Sequence, residues 1–375
     1  MNKFKNFGLN TTLLENLKQQ GITEPTQIQE LTIPSILNGM DIVAEAPTGT
    51  GKTLAFLLPM FQKFESNSKH VQGLIISPTR ELAIQIASEA DKLAKDTDYK
   101  ILSLFGGKDI GSQLKKLSNN NIDLVIATPG RLLDHIDRDT LDLKHLKILV
   151  LDEADQMLYI GFKNEIEAIL QKTNKNKQLL CFSATLDSKV KKLAYRFMSN
   201  PAEFAHREES VTLDTINQKI ITTSDRWKQE ALLNELDRIN PFLAIIFCRT
   251  KRRADDLEEA MAIKKYNCKK LHGSMPQNVR QRVMKAFREA KIQYLIATDV
   301  AARGLDISGV THIFNYDIPE SPEAYIHRIG RTGRMGEDGT AITFVVPRNE
   351  KLLADIELEI EMTIPKEAYV RKQDK

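Results

Sequence analysis

The octapeptide APTGTGKT, residues 46–53, decides the fold of the surrounding chain. It follows a short apolar run, DIVAEA (41–46), and leads into the helical pattern TLAFLLPMFQKF (53–64). A glycine-rich loop between a strand and a helix is the setting of the phosphate-binding loop, written G-x-x-x-x-G-K-[ST]. Ala46 replaces the first glycine of that pattern, which is tolerable where the residue has a negative φ. The context therefore predicts a nucleoside triphosphate site, and disfavours a flexible surface turn.

The residue types of this loop suit a phosphate chain. Gly49 and Gly51 can adopt positive φ, which turns successive backbone N–H groups toward an anion. Lys52 reaches the β- and γ-phosphates, and the Thr53 hydroxyl is a ligand for Mg²⁺. The helix that begins near Lys52 adds the positive end of its dipole. The predicted ATP-binding residues of the loop are Thr48, Gly49, Thr50, Gly51, Lys52 and Thr53.

A second apolar run, ILVLDE (148–153), ends in acidic residues. In parallel α/β sheets, ligand chemistry lies at the carboxyl ends of the strands, which brings Asp152 near the phosphate loop. Asp152 would bind Mg²⁺, partly through water, and Glu153 would orient and deprotonate the attacking water. Taken alone, LDEAD is also typical of a solvated helix start, where acidic residues are favoured. The nearby phosphate loop favours the catalytic interpretation.

Short runs rich in Val, Ile and Leu alternate with helical patterns along the chain. Continuous apolar strands of this kind indicate α/β architecture, with parallel sheets covered on both faces. The predicted strands are 41–46, 73–78, 101–106, 123–129, 148–153, 179–184, 242–248, 269–273, 294–299, 312–317 and 341–346. The alternation breaks at the polar segment AEFAHREESVTLD (202–214). We predict a first domain at 1–205, a linker at 206–214 and a second domain at 215–375 that ends in a short helix and a polar tail.

Length and composition agree with this organisation. The 375 residues exceed the size at which one hydrophobic core usually stops growing. A net charge of +3 permits a nucleic-acid partner but does not argue for one. The three cysteines have no C-x-x-C spacing, which indicates reduced core thiols. Without an apolar signal core or a run of membrane-span length, the chain is expected to be cytoplasmic and to have no membrane partner.

Further motifs follow in an order that is typical of one enzyme family. They are PTREL (78–82), GG (106–107), TPGR (128–131), DEAD (152–155), SAT (183–185), ARGLD (302–306) and HRIGRTGR (327–334). From about Phe4 to Val346 the sequence resembles the DEAD-box RNA helicases, whose own phosphate loop begins with alanine. The resemblance implies two tandem RecA-like domains that face one another across a cleft, each a mostly parallel sheet flanked by helices. ATP and RNA would both bind between them.

The resemblance implies additional nucleotide contacts. GITEPTQIQ (21–29) resembles the family's Q motif, which makes Gln29 the reader of adenine, since an amide can pair with N6 and N7 together. Phe4 stands where the family has an aromatic residue that stacks on the base, a role that suits an exposed ring. The alternative for Phe4 is an N-terminal anchor packed on the domain. Asp306 matches a residue that contacts the ATP ribose.

In the second domain, HRIGRTGR (327–334) matches the family's motif for sensing the γ-phosphate. Arg331 and Arg334 match arginine fingers, whose guanidinium groups stabilise the charge that develops during hydrolysis. His327 and Arg328 match positions that connect this motif to the DEAD segment. Without the family, the same basic loop is also typical of a general phosphate-binding patch.

A second set of residues is implied to face RNA. They are small, hydroxyl-bearing or cationic residues at strand ends, which suit contacts with phosphates and ribose hydroxyls and carry little sequence information. The set is Pro78, Thr79, Arg80, Gly106, Gly107, Thr128, Gly130, Arg131, Arg249, Thr250, Gly273, Gln277, Arg280 and Thr298. Ser183 and Thr185 are implied to couple the two sites by bonding to the DEAD acids, Asp155 included. Individually, such glycines are also typical of turns, and such threonines of helix caps.

The expected activity is that of an ATP-dependent RNA helicase, monomeric and dependent on Mg²⁺. ATP and RNA would each favour closure of the domains on single-stranded RNA, so that short duplexes are unwound locally or RNA–protein complexes remodelled. One alternative is a DNA helicase or translocase, which the Q motif and the DEAD tetrad disfavour. Another is an ATP-gated RNA clamp that unwinds nothing. A P-loop kinase or GTPase leaves HRIGRTGR unexplained. The compact length resembles the minimal bacterial members, for which ribosome assembly and cold-linked RNA remodelling are common assignments, so ribosomal RNA is the expected partner.

Overall fold

The computed structural model describes residues 3–47, 49–107, 110–119, 121–205, 216–302, 309–333 and 339–371. The chain divides into two compact units, Met1–Arg207 and Glu208–Lys375. The predicted linker, 206–214, lies outside the described residues. Within the described ranges every strand pairing is parallel, and the strands form two sheets of seven.

The first unit is a sheet with helices on both faces. Its strands are β1 (Ile42–Glu45), β2 (Gly73–Ile76), β3 (Ile101–Leu104), β4 (Leu124–Ala127), β5 (Ile148–Asp152), β6 (Gln178–Ser183) and β7 (Ala202–Ala205), in the order β3-β4-β2-β5-β6-β1-β7. Its helices are α1 (Thr11–Gln19), α2 (Gln27–Leu37), α3 (Lys52–Lys63), α4 (Arg80–Leu93), α5 (Ile110–Asn119), α6 (Pro129–Asp137), α7 (Ala154–Ile160), α8 (Lys163–Lys172) and α9 (Ser188–Phe197). Successive residues of β2 enter different cores, Ile75 on one face and Leu74 and Ile76 on the other. Burial on both faces explains the continuous apolar runs.

The second unit repeats this architecture. Its strands are β8 (Ile216–Thr222), β9 (Ala244–Phe247), β10 (Cys268–Leu271), β11 (Tyr294–Ala297), β12 (His312–Asn315), β13 (Gly339–Val345) and β14 (Lys366–Ala368), in the order β10-β11-β9-β12-β13-β8-β14. Its helices are α10 (Lys228–Ile239), α11 (Lys251–Ile263), α12 (Gln277–Arg288), α13 (Asp299–Ala302), α14 (Pro322–Ile329) and α15 (Glu350–Glu359). The prediction of α/β architecture with parallel sheets is confirmed for both units.

Three strands have no counterpart among the predicted ones. Strand β7 lies at a sheet edge and pairs only with β1, so its sequence AEFA lacks an apolar run. Strand β8 carries the polar residues of INQKIIT. The prediction that the chain after its last helix is only a polar tail is wrong, because β14 pairs in parallel with β8. The backbone of an edge strand pairs with one neighbouring strand only, and its side chains need not be apolar. Such a strand therefore lacks the apolar run by which the other strands were predicted.

The cysteines agree with the expectation of reduced core thiols. Cys181, Cys248 and Cys268 are buried free thiols. Burial raises the pKa of Cys181 to about 12, which makes it an unreactive core residue. None of the helices in the described ranges has the length and apolar character that crossing a bilayer requires.

Candidate active site

The phosphate loop joins the carboxyl end of β1 to the start of α3. Gly49 and Gly51 have φ values of 95° and 90°, the left-handed conformation that was predicted for them. A Cβ atom at Gly51 would lie 2.5 Å from Gln29 Nε2, so only glycine fits there. Ala46 does not have a positive φ, so its methyl group causes no backbone strain at this position. Thr48 lies outside the described residues.

The buried side chain of Lys52 carries the positive charge of this loop. Only 6% of the residue is accessible, and Nζ has no hydrogen-bond partner within the described part of the chain. A buried ammonium group without a partner is costly, and phosphate oxygens would remove that cost. Thr50 Oγ1 donates to Pro47 O at 2.9 Å and helps to fix the loop, while Thr53 lies in the first turn of α3. The donor set fits a triphosphate.

Gln29 connects the Q motif to the phosphate loop. Its Nε2 donates a hydrogen bond to Gly51 O at 2.9 Å, and its Oε1 accepts one from Thr26 N at 2.9 Å. The second bond belongs to the capping box at the start of α2. Both ends of the amide are thus used within the protein. The reading of adenine by Gln29 stays a prediction, and the observed contacts give the residue a role in shaping the loop.

The expectation of an exposed ring at Phe4 is wrong. Phe4 is 0% exposed and belongs to the core of the first unit. It lies in a short 3-10 helix, Lys3–Phe7, and its ring meets Phe7 edge-on at a centroid distance of 5.9 Å. Lys3 N donates to Thr23 O at 3.0 Å, which ties this segment to the chain before α2. The packing is that of the anchor alternative, and base stacking by Phe4 remains untested.

The acidic residues of the DEAD segment stand at the end of β5. Asp152 is buried, and its Oδ1 accepts from Glu153 N at 3.0 Å. Burial raises the pKa of Asp152, while the charge of Lys52 acts in the opposite direction. Glu153 is also buried and has φ 53° and ψ 54°, a left-handed conformation that non-glycine residues adopt rarely. Such backbone conformations cluster at functional sites.

Ser183, the last residue of β6, lies between the two ATP-site segments. Its carbonyl oxygen accepts from Ala46 N at 2.8 Å, and its Oγ accepts from Asp155 N at 3.1 Å. Thr185 Oγ1 donates to Asp155 Oδ2 at 3.3 Å. The contacts expected between SAT and the DEAD acids are therefore present at Asp155.

The residues of the first unit that are predicted to face RNA follow the neighbouring strands β2, β3 and β4. A Cβ atom at Gly107, where φ is 84°, would lie 2.3 Å from Arg80 Nη1, so the guanidinium lies directly against the glycine pair. Arg131 Nη1 donates to Gln113 Oε1 at 2.9 Å, and Gln113 Nε2 donates to Phe105 O at 3.2 Å, next to Gly106. The structure thus brings Arg80, Arg131 and the glycine pair to one region of the sheet edge.

The remaining members of this set begin helices. Thr79 Oγ1 caps α4 by accepting from Leu82 N at 3.2 Å, and Thr128 is the residue before α6. Pro78 is buried, whereas Gly130 is exposed.

The carboxyl ends of the parallel strands all lie on one side of the sheet. On that side, the residues predicted to bind ATP follow β1, β5 and β6. The ATP and RNA sets therefore occupy adjoining halves of a single edge.

In the second unit, the residues predicted to face RNA again follow three neighbouring strands. Arg249 and Thr250 follow β9, Gly273 follows β10 and Thr298 follows β11. Thr250 Oγ1 caps α11 by accepting from Arg253 N at 3.2 Å. Gln277 and Arg280 lie in the first turns of α12, with Arg280 buried.

The first half of HRIGRTGR lies at the end of α14. Arg328 donates to both carboxylate oxygens of Asp299, at 2.6 and 2.7 Å, and to Asp317 O at 2.6 Å. Its guanidinium is therefore held inside the second unit, and a link from Arg328 to the DEAD segment stays a prediction. Arg331 is buried, and its Nε donates to His327 O at 3.3 Å. Arg334 and Asp306 lie outside the described residues.

Several polar residues near the sites were not identified from the sequence. Asp299 and Asp317 end the predicted strands YLIATD and HIFNYD, so the signal that identified Asp152, an acid at a strand end, was available for both. Gln113 and Lys228 carry no such signal, because only the folded chain shows that each is buried against a functional segment.

The comparisons with known proteins agree with this geometry. Residues 26–193 match the DEAD/DEAH box helicase model, and residues 227–336 match the helicase conserved C-terminal domain. The ATP-dependent RNA helicase CshA of Listeria monocytogenes is 48% identical over 357 residues, which cover 95% of this chain and 68% of that protein. S. cerevisiae Dbp5 bound to RNA and ADP BeF3 has a TM-score of 0.88 and 30% identity, covering 98% of this chain and 96% of that one. Mss116p bound to ssRNA and AMP-PNP has a TM-score of 0.86 and 31% identity, covering 98% and 79%. The chain belongs to the DEAD/DEAH box helicase family.

Proposed function

We propose that this protein is an RNA-dependent ATPase that unwinds short RNA duplexes locally or remodels RNA–protein complexes. One observation carries the proposal: the residues predicted to bind phosphate follow β1, β5 and β6, and those predicted to face RNA follow β2, β3 and β4 at the carboxyl ends of the same sheet. The two sets meet where β2 and β5 are neighbours, so the two proposed ligand sites adjoin. The names of the relatives, and the RNA and nucleotide analogues bound to Dbp5 and Mss116p, support this function.

The phosphate loop would bind ATP through charge and backbone donors. The buried Lys52 ammonium, without a partner in the described chain, would engage the β- and γ-phosphates. Gly49 and Gly51 leave room for the backbone N–H groups to approach the phosphate oxygens. Thr53 and Asp152 would hold Mg²⁺, which supplies charge neutralisation for the phosphates.

Hydrolysis would depend on Glu153 and on the arginines of HRIGRTGR. Glu153 would accept a proton from the attacking water, whose oxygen forms the new bond to the γ-phosphorus while the bond to the β–γ bridging oxygen breaks. Arg331 and Arg334 would stabilise the charge that develops on the transferred group, with His327 supporting them. Asp306 and Gln29 would contact the nucleoside.

RNA would be held through its backbone. Arg80, Arg131 and Arg249 would contact phosphates, and the hydroxyl-bearing residues would contact ribose, so binding would depend little on sequence. Since ATP and RNA would each contact residues of both halves of the chain, each would strengthen binding of the other through closure. Ser183 and Thr185 would transmit that closure to the DEAD acids.

The finer assignments rest on the family resemblance. We take 1–205 and 215–375 as the two domains and 206–214 as the linker between them. Ribosomal RNA is the client class that the resemblance to minimal bacterial members favours, with a monomeric protein acting in the cytoplasm.

The function is tested by displacement of a labelled strand from a short RNA duplex. Wild-type protein with ATP should release the strand, whereas Lys52→Ala should not, because the phosphates lose their principal cation. A DNA duplex of the same sequence is the matched control. Release that is equally fast without ATP, or equally fast on DNA, would refute an ATP-dependent RNA helicase.

A further inference from the structure

A buried cluster of charges lies just beyond the carboxyl end of β12. Lys228 Nζ and Asp317 Oδ1 are 2.9 Å apart, and their side chains are only 2% and 4% exposed. Arg253 Nη1 lies 3.0 Å from the same carboxylate oxygen. Two charges withdrawn from water in this way contribute little net stability, because desolvation offsets their attraction. The cluster therefore calls for an explanation other than stability.

The second oxygen of Asp317 holds the RNA-facing turn. Asp317 Oδ2 accepts a hydrogen bond from Arg249 N at 2.9 Å. Arg249 and Thr250 form the turn between β9 and α11, and the Arg249 side chain donates to Ile318 O at 3.3 Å. The turn is thus attached to the segment after β12 through both its backbone and its side chain.

The backbone of Asp317 holds the arginine-bearing helix. Its carbonyl oxygen accepts from Arg328 Nη1 at 2.6 Å, and Arg328 is fixed further by the two bonds to Asp299. Asp299 directly follows Thr298, another RNA-facing residue. Asp317 therefore lies between an RNA-facing turn and the helix that leads to Arg331.

We propose that Asp317 is a positioning residue that fixes the RNA-facing turn at Arg249 against the helix carrying Arg328, so that RNA binding at the turn is transmitted to Arg331. The proposal rests on the proposed function, since it concerns how RNA stimulates ATP hydrolysis. It requires no contact between Asp317 and either ligand. The carboxylate acts by holding a backbone N–H group in place, and a charge-assisted hydrogen bond of this kind is among the stronger ones.

Lys228 provides a matched comparison because it belongs to the same ion pair. It contacts Asp317 and lies 5.1 Å from the centre of the Tyr316 ring, and no bond from its side chain to Arg249 or Arg328 occurs among the described residues. After removal of Lys228, Arg253 would still neutralise Asp317, and Asp317 would still hold Arg249 N. Loss of Lys228 thus breaks the ion pair but leaves the turn attached.

The experiment compares Asp317→Asn with Lys228→Met in an ATPase titration with single-stranded RNA. In Asp317→Asn the single amide oxygen stays with Lys228 and Arg253, which turns the NH2 group toward Arg249 N and removes the bond that holds the turn. The RNA concentration for half-maximal stimulation should therefore rise by about tenfold or more, the scale of a lost hydrogen bond to a charged group. Lys228→Met should lower the thermal midpoint but change that concentration by less than about twofold. ATP affinity without RNA should be unchanged in both, because the phosphate loop lies in the other unit.

The possible results distinguish a failure of the positioning role of Asp317 from a failure of the proposed function. Equal shifts of the half-saturating RNA concentration in both variants, or no shift in Asp317→Asn, would overturn the positioning role. If Asp317→Asn does not fold, the double variant Asp317→Asn/Lys228→Met removes both charges of the pair, and it should show the same RNA shift. A wild-type half-saturation in the double variant would also overturn the role. Wild-type protein that RNA does not stimulate would instead refute the proposed function.

Discussion

Thr185 Oγ1 donates a hydrogen bond to Asp155 Oδ2 at 3.3 Å, which joins the end of the SAT segment to the last acid of DEAD. Two residues earlier, Ser183 Oγ accepts from Asp155 N at 3.1 Å. Two side chains of one segment thus hold both the backbone and the carboxylate of a single residue. Neither contact involves Asp152 or Glu153, to which hydrolysis is assigned, so coupling and chemistry can be separated by mutation.

Thr185→Val should therefore reduce unwinding more than ATP hydrolysis. The change removes one hydroxyl and keeps the side-chain volume, and a single hydrogen bond is worth about 1 kcal/mol, or about fivefold. The measurement is the number of RNA strands displaced per ATP hydrolysed. Thr173→Val is the control, because that threonine donates to Leu170 O on α8, away from the site. An unchanged ratio in Thr185→Val would argue against coupling through this contact.

Glu153→Gln should retain ATP and RNA binding and slow hydrolysis. The amide keeps the size of the side chain but cannot accept the proton of the attacking water, and loss of a general base costs on the order of 10²–10⁴-fold. Single-turnover hydrolysis with radiolabelled ATP measures the step directly. A wild-type rate in this variant would remove Glu153 from the role of base.

Arg331→Ala should lower hydrolysis by a factor on the order of 10³, the scale of a removed arginine finger. ATP binding in the absence of RNA should be retained, because Lys52 still engages the phosphates. The two quantities are measured by steady-state turnover and by equilibrium titration with a fluorescent ATP analogue. Loss of nucleotide affinity with turnover unchanged at saturation would contradict the finger assignment.

Gln29→Ala should weaken ATP binding because Gln29 helps to fix the conformation of the phosphate loop. The change removes the hydrogen bond to Gly51 O and one half of the capping box, each worth about 1 kcal/mol. Gln72→Ala is the matched control, because Gln72 is an equally buried glutamine that bonds to Asp123 and Glu65. We expect both variants to lose stability and only Gln29→Ala to lose ATP affinity. Equal ATP affinities in the two variants would exclude the loop-shaping role.

The buried His135 predicts a pH dependence of stability. Burial, aided by the charge of Arg131, lowers the pKa of His135 below its ordinary value of 6.5. As pH falls through 6.5, the unfolded chain takes up a proton that the native chain excludes, so the free energy of unfolding decreases. The change between about pH 7.5 and about pH 5.5 should be smaller in His135→Gln than in wild type, as measured by urea unfolding. An identical change in both proteins would contradict the assignment.

The local conformation of the proposed ATP site was predictable because it depends on two short motifs, each at the end of an apolar strand. Lys52, Asp152 and Glu153 each follow an apolar run that marks the edge of the sheet. The role of Asp317 was not predictable, since its contacts with Lys228 and Arg249 join positions 68 to 89 residues apart. The prediction that Phe4 is exposed was wrong for a related reason. The polar residues around it in the sequence do not indicate that its ring packs into the core of the first unit.

We expect ATP to control how tightly the protein binds RNA. The lifetime of the protein–RNA complex tests this expectation most directly. Glu153→Gln is mixed with labelled single-stranded RNA, and dissociation is followed after addition of unlabelled RNA, with either ATP or ADP present. With ATP the complex should dissociate at least about tenfold more slowly, since the retained γ-phosphate keeps both ligands bound in the coupled state. Equal dissociation rates with ATP and ADP would contradict the account.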